Sequence, residues 1–504
     1  MDGFGLVAER VRAHAAQRPD ALALRGSGQA LSYRELDALM DRIAAALQRD
    51  GLRPGDAIAL AGRSTPVQAA LFLGALRAGV VVAPLAGSVT PAQFAGMLAD
   101  AGARRLFLDD SVAALAPPGL PCLDVERELS GWLAPAGVRP APVALEPTAP
   151  FNIIYSSGTT GTPKGIVQSH GMRWAHVLRG ARYGYGPEAR TLLATPLYSN
   201  TTLVVFVPSI AYGGSVELMA KFEAGAYLAL AAQQRITHTM LVPVQYQRLM
   251  DHPDFGRHDL SSFRLKFCTS APFSAALKAE VLRRWPGGLT EFYGMTEGGG
   301  TCILEAHLHP DKLHTVGRPQ DGHDIRLIDA DGRELGPGEA GEVVGHSPAM
   351  MSGYHGQPEK TREAEWYAPD GKRFIRTGDI GRFDAEGFLS LIDRKKDMII
   401  SGGFNIYPSD LEAQLREHPA VAEAAVIGVP SPWGESPLAY VVPRVGAPAA
   451  AALRDWLNAR VGKTQRLAGL RYIDELPRSA IGKVLKRELR ERYEQDPSQE
   501  SPAP

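Results

Sequence analysis

Between Ser32 and Leu108 the chain alternates helix-period segments with short apolar runs, and nothing else in it restricts the fold as much. Ser32 with Glu35 forms a capping-box pattern, and Leu36, Leu39, Met40, Ile43, Ala44 and Leu47 follow at helical spacing. Gly51 and Pro54 end that segment, and 57–60 has the length and composition of a strand. A helix over 67–76, a strand over 80–84, a helix from Pro91 and a strand over 106–108 follow. Strands separated by helices must pair in parallel, with the helices covering the sheet. The expected fold class is therefore α/β, a large N-terminal domain of parallel sheets flanked by helices.

At 504 residues the chain exceeds one ordinary core, so further domains are expected. A Pro- and Ala-rich connector covers 134–150 and leads into an apolar strand at 151–154. The alternation resumes with strands at 240–242 and 265–268. From Gly317 onward short strands at 325–328 and 342–344, punctuated by Asp331-Gly332, suggest an antiparallel, barrel-like subdomain. The run DRKKDMII at 393–400 leads into Gly402 and Gly403. A new unit follows it: a helix capped at Ser409, strands over 425–429 and 439–442, a helix near 453–461, a strand over 471–473 and a basic helix from Val484. About 100 residues suffice for a small α+β domain. The expected boundaries are 1–395, 396–495 and a polar, disordered tail at 496–504.

Charge and composition exclude several partners. Lys and Arg number 54 against 55 Asp and Glu, a net charge of -1, so no basic field draws nucleic acid or an anionic membrane. The uncharged stretch 191–216 contains Pro196, Asn200, Pro208 and Gly213-Gly214, which argues for a buried helix rather than a membrane span. Three widely spaced cysteines, Cys122, Cys268 and Cys302, suggest neither a disulfide framework nor a zinc site. With no signal-peptide pattern at the N-terminus, a cytoplasmic protein is expected.

Four stretches carry chemistry. The first, YSSGTTGTPKGIVQSH at 155–170, places seven Ser, Thr and Gly residues in a row before Pro163 and Lys164. Glycines admit close backbone approach, hydroxyls and amides donate to phosphate oxygens, and Lys164 adds a positive charge. It is not a Walker A loop, because Lys164 is followed by Gly165. The alternative is a flexible linker. The second is Tyr293-Gly294-Met295-Thr296-Glu297, whose aromatic can stack on a purine and whose carboxylate can hold Mg²⁺. The third is Arg376-Thr377-Gly378-Asp379 with Arg394, where an Asp can accept from both hydroxyls of a ribose. The fourth is Pro477-Arg478-Ser479-Ala480-Ile481-Gly482-Lys483, a turn that offers a lysine. Each alone is weak, an RTGD being more often a surface turn than a ribose clamp and a lone GK at a helix start usually an ordinary cap.

Together and in this order, the four resemble the adenylate-forming superfamily, and within it the acyl-CoA synthetase branch. Leu76-Arg77-Ala78-Gly79, Gly341-Glu342-Val343 and Gly353-Tyr354 are lesser marks of the same family. The resemblance implies a small mobile C-terminal domain and a site residue by residue. Ser156, Ser157, Gly158, Thr159, Thr160, Gly161 and Lys164 would form the phosphate loop, with Thr160 and Glu297 at the metal. Ser270, Ala271 and Pro272 would wall the adenine, Tyr293 would pack on it, and Thr296 would hold the α-phosphate. Asp379 and Arg394 would grip the ribose, Lys396 would be the hinge, and Lys483 would bridge carboxylate and ATP. Trp433 and Gly403 would line a tunnel for CoA.

The acid pocket implied by the resemblance has walls from Tyr198, Ser199, Asn200, Met240, Thr269, Gly294, Gly299 and Gly300. Ser199 stands where the family's synthetases usually carry His. With glycines at 298–300 the floor should lie deep, so a bulky hydrophobic acid (aryl, arylpropenoic or medium-chain aliphatic) is expected, and Gly299→Trp should favour shorter acids. The expected function is ATP-dependent activation of that acid to an acyl-adenylate and transfer to CoA, with ATP, Mg²⁺ and CoA as cofactors. Two alternatives remain: an enzyme loading the phosphopantetheine thiol of a separate carrier protein, and a non-catalytic binder of nucleotide. A homodimer is compatible with either enzyme.

Overall fold

Thr65 and Thr90 accept from the backbone N–H three residues on and start the helices Pro66–Arg77 and Pro91–Asp100, each with proline at its first position. Ser32 starts Tyr33–Arg49 with a complete capping box, Ser32 N donating to Glu35 Oε2 at 2.8 Å and Glu35 N to Ser32 Oγ at 3.3 Å. Between these helices run the strands Ala57–Ala61, Val81–Leu85 and Ala103–Leu108, paired in parallel. The first two are buried along their whole length, as strands covered on both faces must be. The expected alternation is thus borne out in this computed structural model, which describes residues 3–155, 164–401, 404–432, 434–479 and 482–496.

The chain divides into two units, Met1–Ile325 with Gly345–Ile375, and Arg326–Val344 with Arg376–Pro504. In the first unit a seven-stranded sheet runs in the order Gly353–Tyr354, Gly165–Ser169, Pro150–Tyr155, Val81–Leu85, Ala57–Ala61, Ala103–Leu108, Cys122–Asp124. A nine-stranded sheet has at its centre the parallel strands Gly288–Gly294, Leu265–Cys268, His238–Leu241, Arg190–Leu193 and Ser215–Leu218. A large apolar core holds Leu36, Met40, Ile43, Leu73, Phe206 and Ile210. The uncharged stretch forms the buried helix Asn200–Ala211, with Pro208 inside it. No helix among the described residues is long and apolar enough to cross a membrane.

In the second unit Leu389–Arg394 pairs antiparallel with residues 379–383 of the strand Arg373–Phe383 and sets Asp379 opposite Arg394. A smaller sheet then takes Ile399–Ser401, Phe404–Ile406, Gly434–Pro443, Val421–Ser431 and Gly469–Tyr472. The helices Pro408–Glu417 and Ala450–Asn458 bury Leu411, Leu415, Leu453 and Leu457 in one cluster with Val426 and Val441. The last helix, Lys486–Gln495, buries Leu489 in another cluster with Ile427 and Leu438. Ser409 does not cap its helix, contrary to expectation. Tyr407 is the N-cap, without a side-chain bond, and Ser409 spends its N–H on Asp393 Oδ2 at 2.9 Å and its hydroxyl on the Ile392 carbonyl.

Candidate active site

In an open α/β sheet, ligands bind outside the carboxyl ends of the parallel strands. Several predicted site residues of the first unit fall there. Tyr198 and Ser199 follow Arg190–Leu193, Thr269 to Pro272 follow Leu265–Cys268, and Met295 to Gly300 follow Gly288–Gly294. Ser156, Ser157, Gly158, Thr159, Thr160 and Gly161 lie outside the described residues, as do Gly403 and Trp433. Lys164 is described. Its ammonium stands 5.3 Å from the centre of the Tyr354 ring.

The loop carrying Thr296 and Glu297 is held at nearly every backbone carbonyl. Gly298 N donates to Met295 O at 3.0 Å and Met351 N to Glu297 O at 2.7 Å. Gln168 Nε2 donates to Thr296 O at 2.7 Å, and Ser347 Oγ to Gly298 O at 2.6 Å. The Tyr354 hydroxyl donates to Glu297 Oε1 at 2.8 Å. Burial, and then the Glu297 charge, push the Tyr354 phenol well above its ordinary pKa, so it stays a donor. Tyr354 therefore joins Lys164 to Glu297, one by its ring face and one by its hydroxyl. The sequence carried Gly353-Tyr354 only as a family mark, because its pairing with Gly165–Ser169 spans almost two hundred residues of chain.

A second residue that the sequence did not single out is Arg173, fully buried on the helix His170–Gly180. Its Nε donates to Asn152 Oδ1 at 2.9 Å, one terminal nitrogen to Asn200 Oδ1 at 2.9 Å, and the other to Gln168 Oε1. Through Gln168 it links Asn200, a predicted pocket residue, to the Thr296 carbonyl. Ser199 caps the helix Asn200–Ala211 by accepting from Thr201 N at 3.2 Å. Ser270 adopts φ +81°, a conformation that favours glycine, and its hydroxyl bonds Thr201 Oγ1 at 2.5 Å. Met240 is fully buried and packs in the main core.

Gly298 and Gly299 are set closely against neighbouring backbone and side chains. A Cβ on Gly299 would lie 2.6 Å from Ile375 Cβ and 3.1 Å from the Gly345 carbonyl. On Gly298, at φ +74°, it would lie 1.8 Å from the Ala349 carbonyl oxygen. Close backbone approach is what these glycines serve. Gly299→Trp is therefore expected to disrupt the fold rather than shorten the preferred acid. Gly298→Ala should cost ~3 kcal/mol or more, read as a lowered melting temperature.

In the second unit the predicted residues come together. Arg394 Nε donates to Asp379 Oδ1 at 2.8 Å. Asp379 N donates to Thr377 Oγ1 at 3.0 Å, which in turn donates to Val343 O at 2.8 Å. Burial, with the nearby charges of Arg394 and Lys396, holds the Lys483 ammonium down to a pKa of about 8, while Asp379 and Asp397 oppose that shift. Burial likewise lowers Lys396. The turn that offers Lys483 is closed by Ser479 N donating to Lys483 O and by Gly482 N donating to Ser479 O, both at 2.8 Å.

Among the described residues no group of three or more His, Cys, Asp or Glu side chains could hold a metal ion. A family model described as AMP-binding enzyme matches residues 11–355, and a model of that enzyme's C-terminal domain matches 410–483. The chain belongs to the AMP-binding enzyme family. It is 37% identical over 488 residues to a feruloyl-CoA synthase of an Amycolatopsis species, covering 94% of this chain and 96% of that one. It is 33% identical over 499 residues to a fatty acid–[acyl-carrier-protein] ligase of Streptomyces coeruleorubidus, covering 95% of each. Its fold matches ATP-bound MatB from Rhodopseudomonas palustris with a TM-score of 0.88 at 30% identity, over 97% of this chain and 99% of that one. The expected superfamily, fold class and enzyme class, an AMP-forming acid:CoA ligase, are borne out.

Proposed function

We propose that this AMP-binding enzyme activates an aromatic carboxylic acid with ATP and passes the acyl group to CoA. The observation that carries the residue roles is the double gathering: Lys164, Tyr354, Glu297 and Thr296 at the strand ends of one unit, and Asp379, Arg394, Lys396 and Lys483 in the other. Both substrates of the first step are anionic, since a carboxylate with an ordinary pKa of ~4.3 is ionised at neutral pH. At 4 Å, two unit charges repel by about 4 kcal/mol at an effective dielectric near ~20. Lys164 and Lys483 offset that repulsion and align the carboxylate oxygen with the α-phosphorus. That oxygen forms a bond to phosphorus, and the bond to the pyrophosphate oxygen breaks. A thiolate then attacks the acyl carbon, and AMP leaves.

Mg²⁺ is general to such enzymes, and the donor set fits it. Mg²⁺ binds through one or two carboxylates together with substrate phosphates, not in an all-protein cage. Glu297 has one carboxylate oxygen fixed by Tyr354, which orients the other, and Thr160 is the second candidate ligand. The ion would supply positive charge to the phosphates there. Asp379, held by Arg394, would accept from the ribose hydroxyls, and Tyr293 would pack on adenine.

Likeness to the feruloyl-CoA synthase over nearly the full length of both chains supports an aromatic acid and CoA. Likeness to the carrier-protein ligase keeps a phosphopantetheine thiol on a separate protein as the second acceptor. Pyrophosphate release with a panel of aryl, arylpropenoic and aliphatic acids, with CoA present or omitted, separates them. Thioester formed on free CoA with an aromatic acid is the expected result. Adenylate that accumulates despite CoA, and is discharged only by a carrier protein, would overturn the CoA assignment.

A further inference from the structure

The helix His170–Gly180 carries two arginines with opposite surroundings, Arg173 fully buried and Arg179 partly buried. Arg173 donates to three side-chain amides, one from each of its nitrogens. Arg179 does not. It makes one long hydrogen bond, to Gln320 Oε1 at 3.5 Å, and lies over the Phe292 ring with 4.6 Å to its centre. It pairs with no carboxylate among the described residues. Around it, other polar groups also lack partners. His176 Nδ1 and Tyr183 Oη are sealed from solvent without a hydrogen bond. His323 Nδ1 accepts from Thr301 N at 2.9 Å, while Gln320 N bonds Thr301 O at 2.9 Å.

Burying a guanidinium costs several kcal/mol unless charge and hydrogen bonds compensate it. Arg173 has hydrogen bonds from all three nitrogens within the chain, while Arg179 has one long one and a ring face. Burial first, and then the charge of Arg179, keep His323 neutral with a pKa of about 4. Burial, and then Arg179, Arg173 and His323, push His176 well below its ordinary value as well. Two neutral imidazoles thus stand beside one cation, a set that suits an oxygen acceptor.

Strand register relates this position to the expected acid pocket. Phe292 and Gly294 lie on one face of the strand Gly288–Gly294, two residues and so about 7 Å apart. Gly294 brings no side chain, and its cross-strand partner is Thr301, whose amide His323 holds. An acid activated beyond Gly294 and extending back along this face would approach the Phe292 ring, over which Arg179 lies, after about the length of one aromatic ring.

We propose that Arg179, with His176 and His323, binds a second oxygen at the distal end of the acid substrate, either a phenol oxygen or a second carboxylate. This deepens the assignment of an aromatic acid and rests on it. Charge-assisted hydrogen bonds of this kind contribute enough for a discrimination of roughly 10- to 100-fold.

The test is the kcat/KM for pyrophosphate release with cinnamate, 4-hydroxycinnamate and 4-carboxycinnamate, in the natural enzyme and in Arg179→Met and Arg179→Lys. The natural enzyme should prefer at least one para-oxygen acid over cinnamate by ~10-fold or more, mostly through KM. Whether the phenol or the carboxylate is preferred identifies the source of the oxygen. Arg179→Met should collapse that preference to within about threefold of unity, and Arg179→Lys should keep part of it. Arg179→Met loses a partly buried charge that pairs with no carboxylate among the described residues and should fold, which a melting curve checks. A natural enzyme that turns over cinnamate without discriminating overturns the distal site alone. Equal loss of all three acids in a folded Arg179→Met would make the arginine structural. Turnover confined to aliphatic acids overturns both the distal site and the aromatic assignment.

Discussion

Lys483→Ala should lower acyl-adenylate formation by about 10³-fold, while the same variant, supplied with chemically made acyl-AMP and CoA, should form thioester at close to the natural rate. The ammonium is needed while two anions are brought together and not once the mixed anhydride exists. Its surroundings add a pH signature. Burial, Arg394 and Lys396 lower its pKa to about 8, so the cation is mostly present at pH 7 and is lost as pH rises through 8. The kcat/KM for adenylation, which reports the free enzyme, should therefore fall on the alkaline side with a limb near pH 8. The acyl-AMP reaction should lack that limb, and Lys483→Ala should abolish it from what adenylation remains. Equal losses in the two half-reactions would mean that Lys483 serves the fold and not the chemistry.

How far the sequence foretold this protein depends on the range of the contacts involved. Helices whose caps and periodicity are local, such as Tyr33–Arg49 and Pro91–Asp100, were legible because Ser32, Thr90 and their partners lie within a few residues of one another. The strand pair Leu22–Gly26 and Gln29–Ser32 was not anticipated. It is short, it turns through Ser27 at φ +50°, and Leu22–Gly26 is fixed by pairing with Ser215–Leu218 far along the chain. The site divides the same way. Thr296, Glu297, Asp379 and Lys483 sit in contiguous motifs. Tyr354, Gln168 and Arg173 act through partners that only the fold brings near. The close packing at Gly298 and Gly299 was not legible, because absence of a side chain looks the same in sequence whether a ligand or a backbone takes the space. Ser409 was misassigned for a related reason, a hydroxyl at a helix start being a cap only if no carbonyl elsewhere claims it.

Lys396→Pro should retain most adenylation and lose thioester formation by about 10²-fold or more, the mirror image of Lys483→Ala. One active centre must first hold Lys483 against the α-phosphate and afterwards admit a thiol to the same carbonyl. Rotation of the segment beyond Lys396 would meet both demands, and proline removes the φ freedom that rotation needs. Lys396 is the third residue of a turn, with Asp397 N donating to Arg394 O at 3.0 Å and Met398 N to the same oxygen at 3.1 Å. Proline is disfavoured at that position of a type I turn, because it pushes the preceding residue out of the helical region. Lys396→Pro should therefore also melt somewhat lower, and Lys396→Ala is the control that keeps dihedral freedom and both half-reactions. Rotation would also have to release Ser409 N from Asp393 Oδ2, at 2.9 Å, and the Ser409 hydroxyl from the Ile392 carbonyl. At about 1 kcal/mol net for each hydrogen bond, that cost is small enough to recur in every cycle. The Arg490 bond to Asp397 Oδ1, at 3.0 Å, lies beyond Lys396 and can travel with the moving part. Ser409→Ala removes one of the two restraints, so it should leave adenylation intact and leave thioester formation equal or faster. A folded Lys396→Pro enzyme that completes both steps at the natural rate would rule out rotation at this turn.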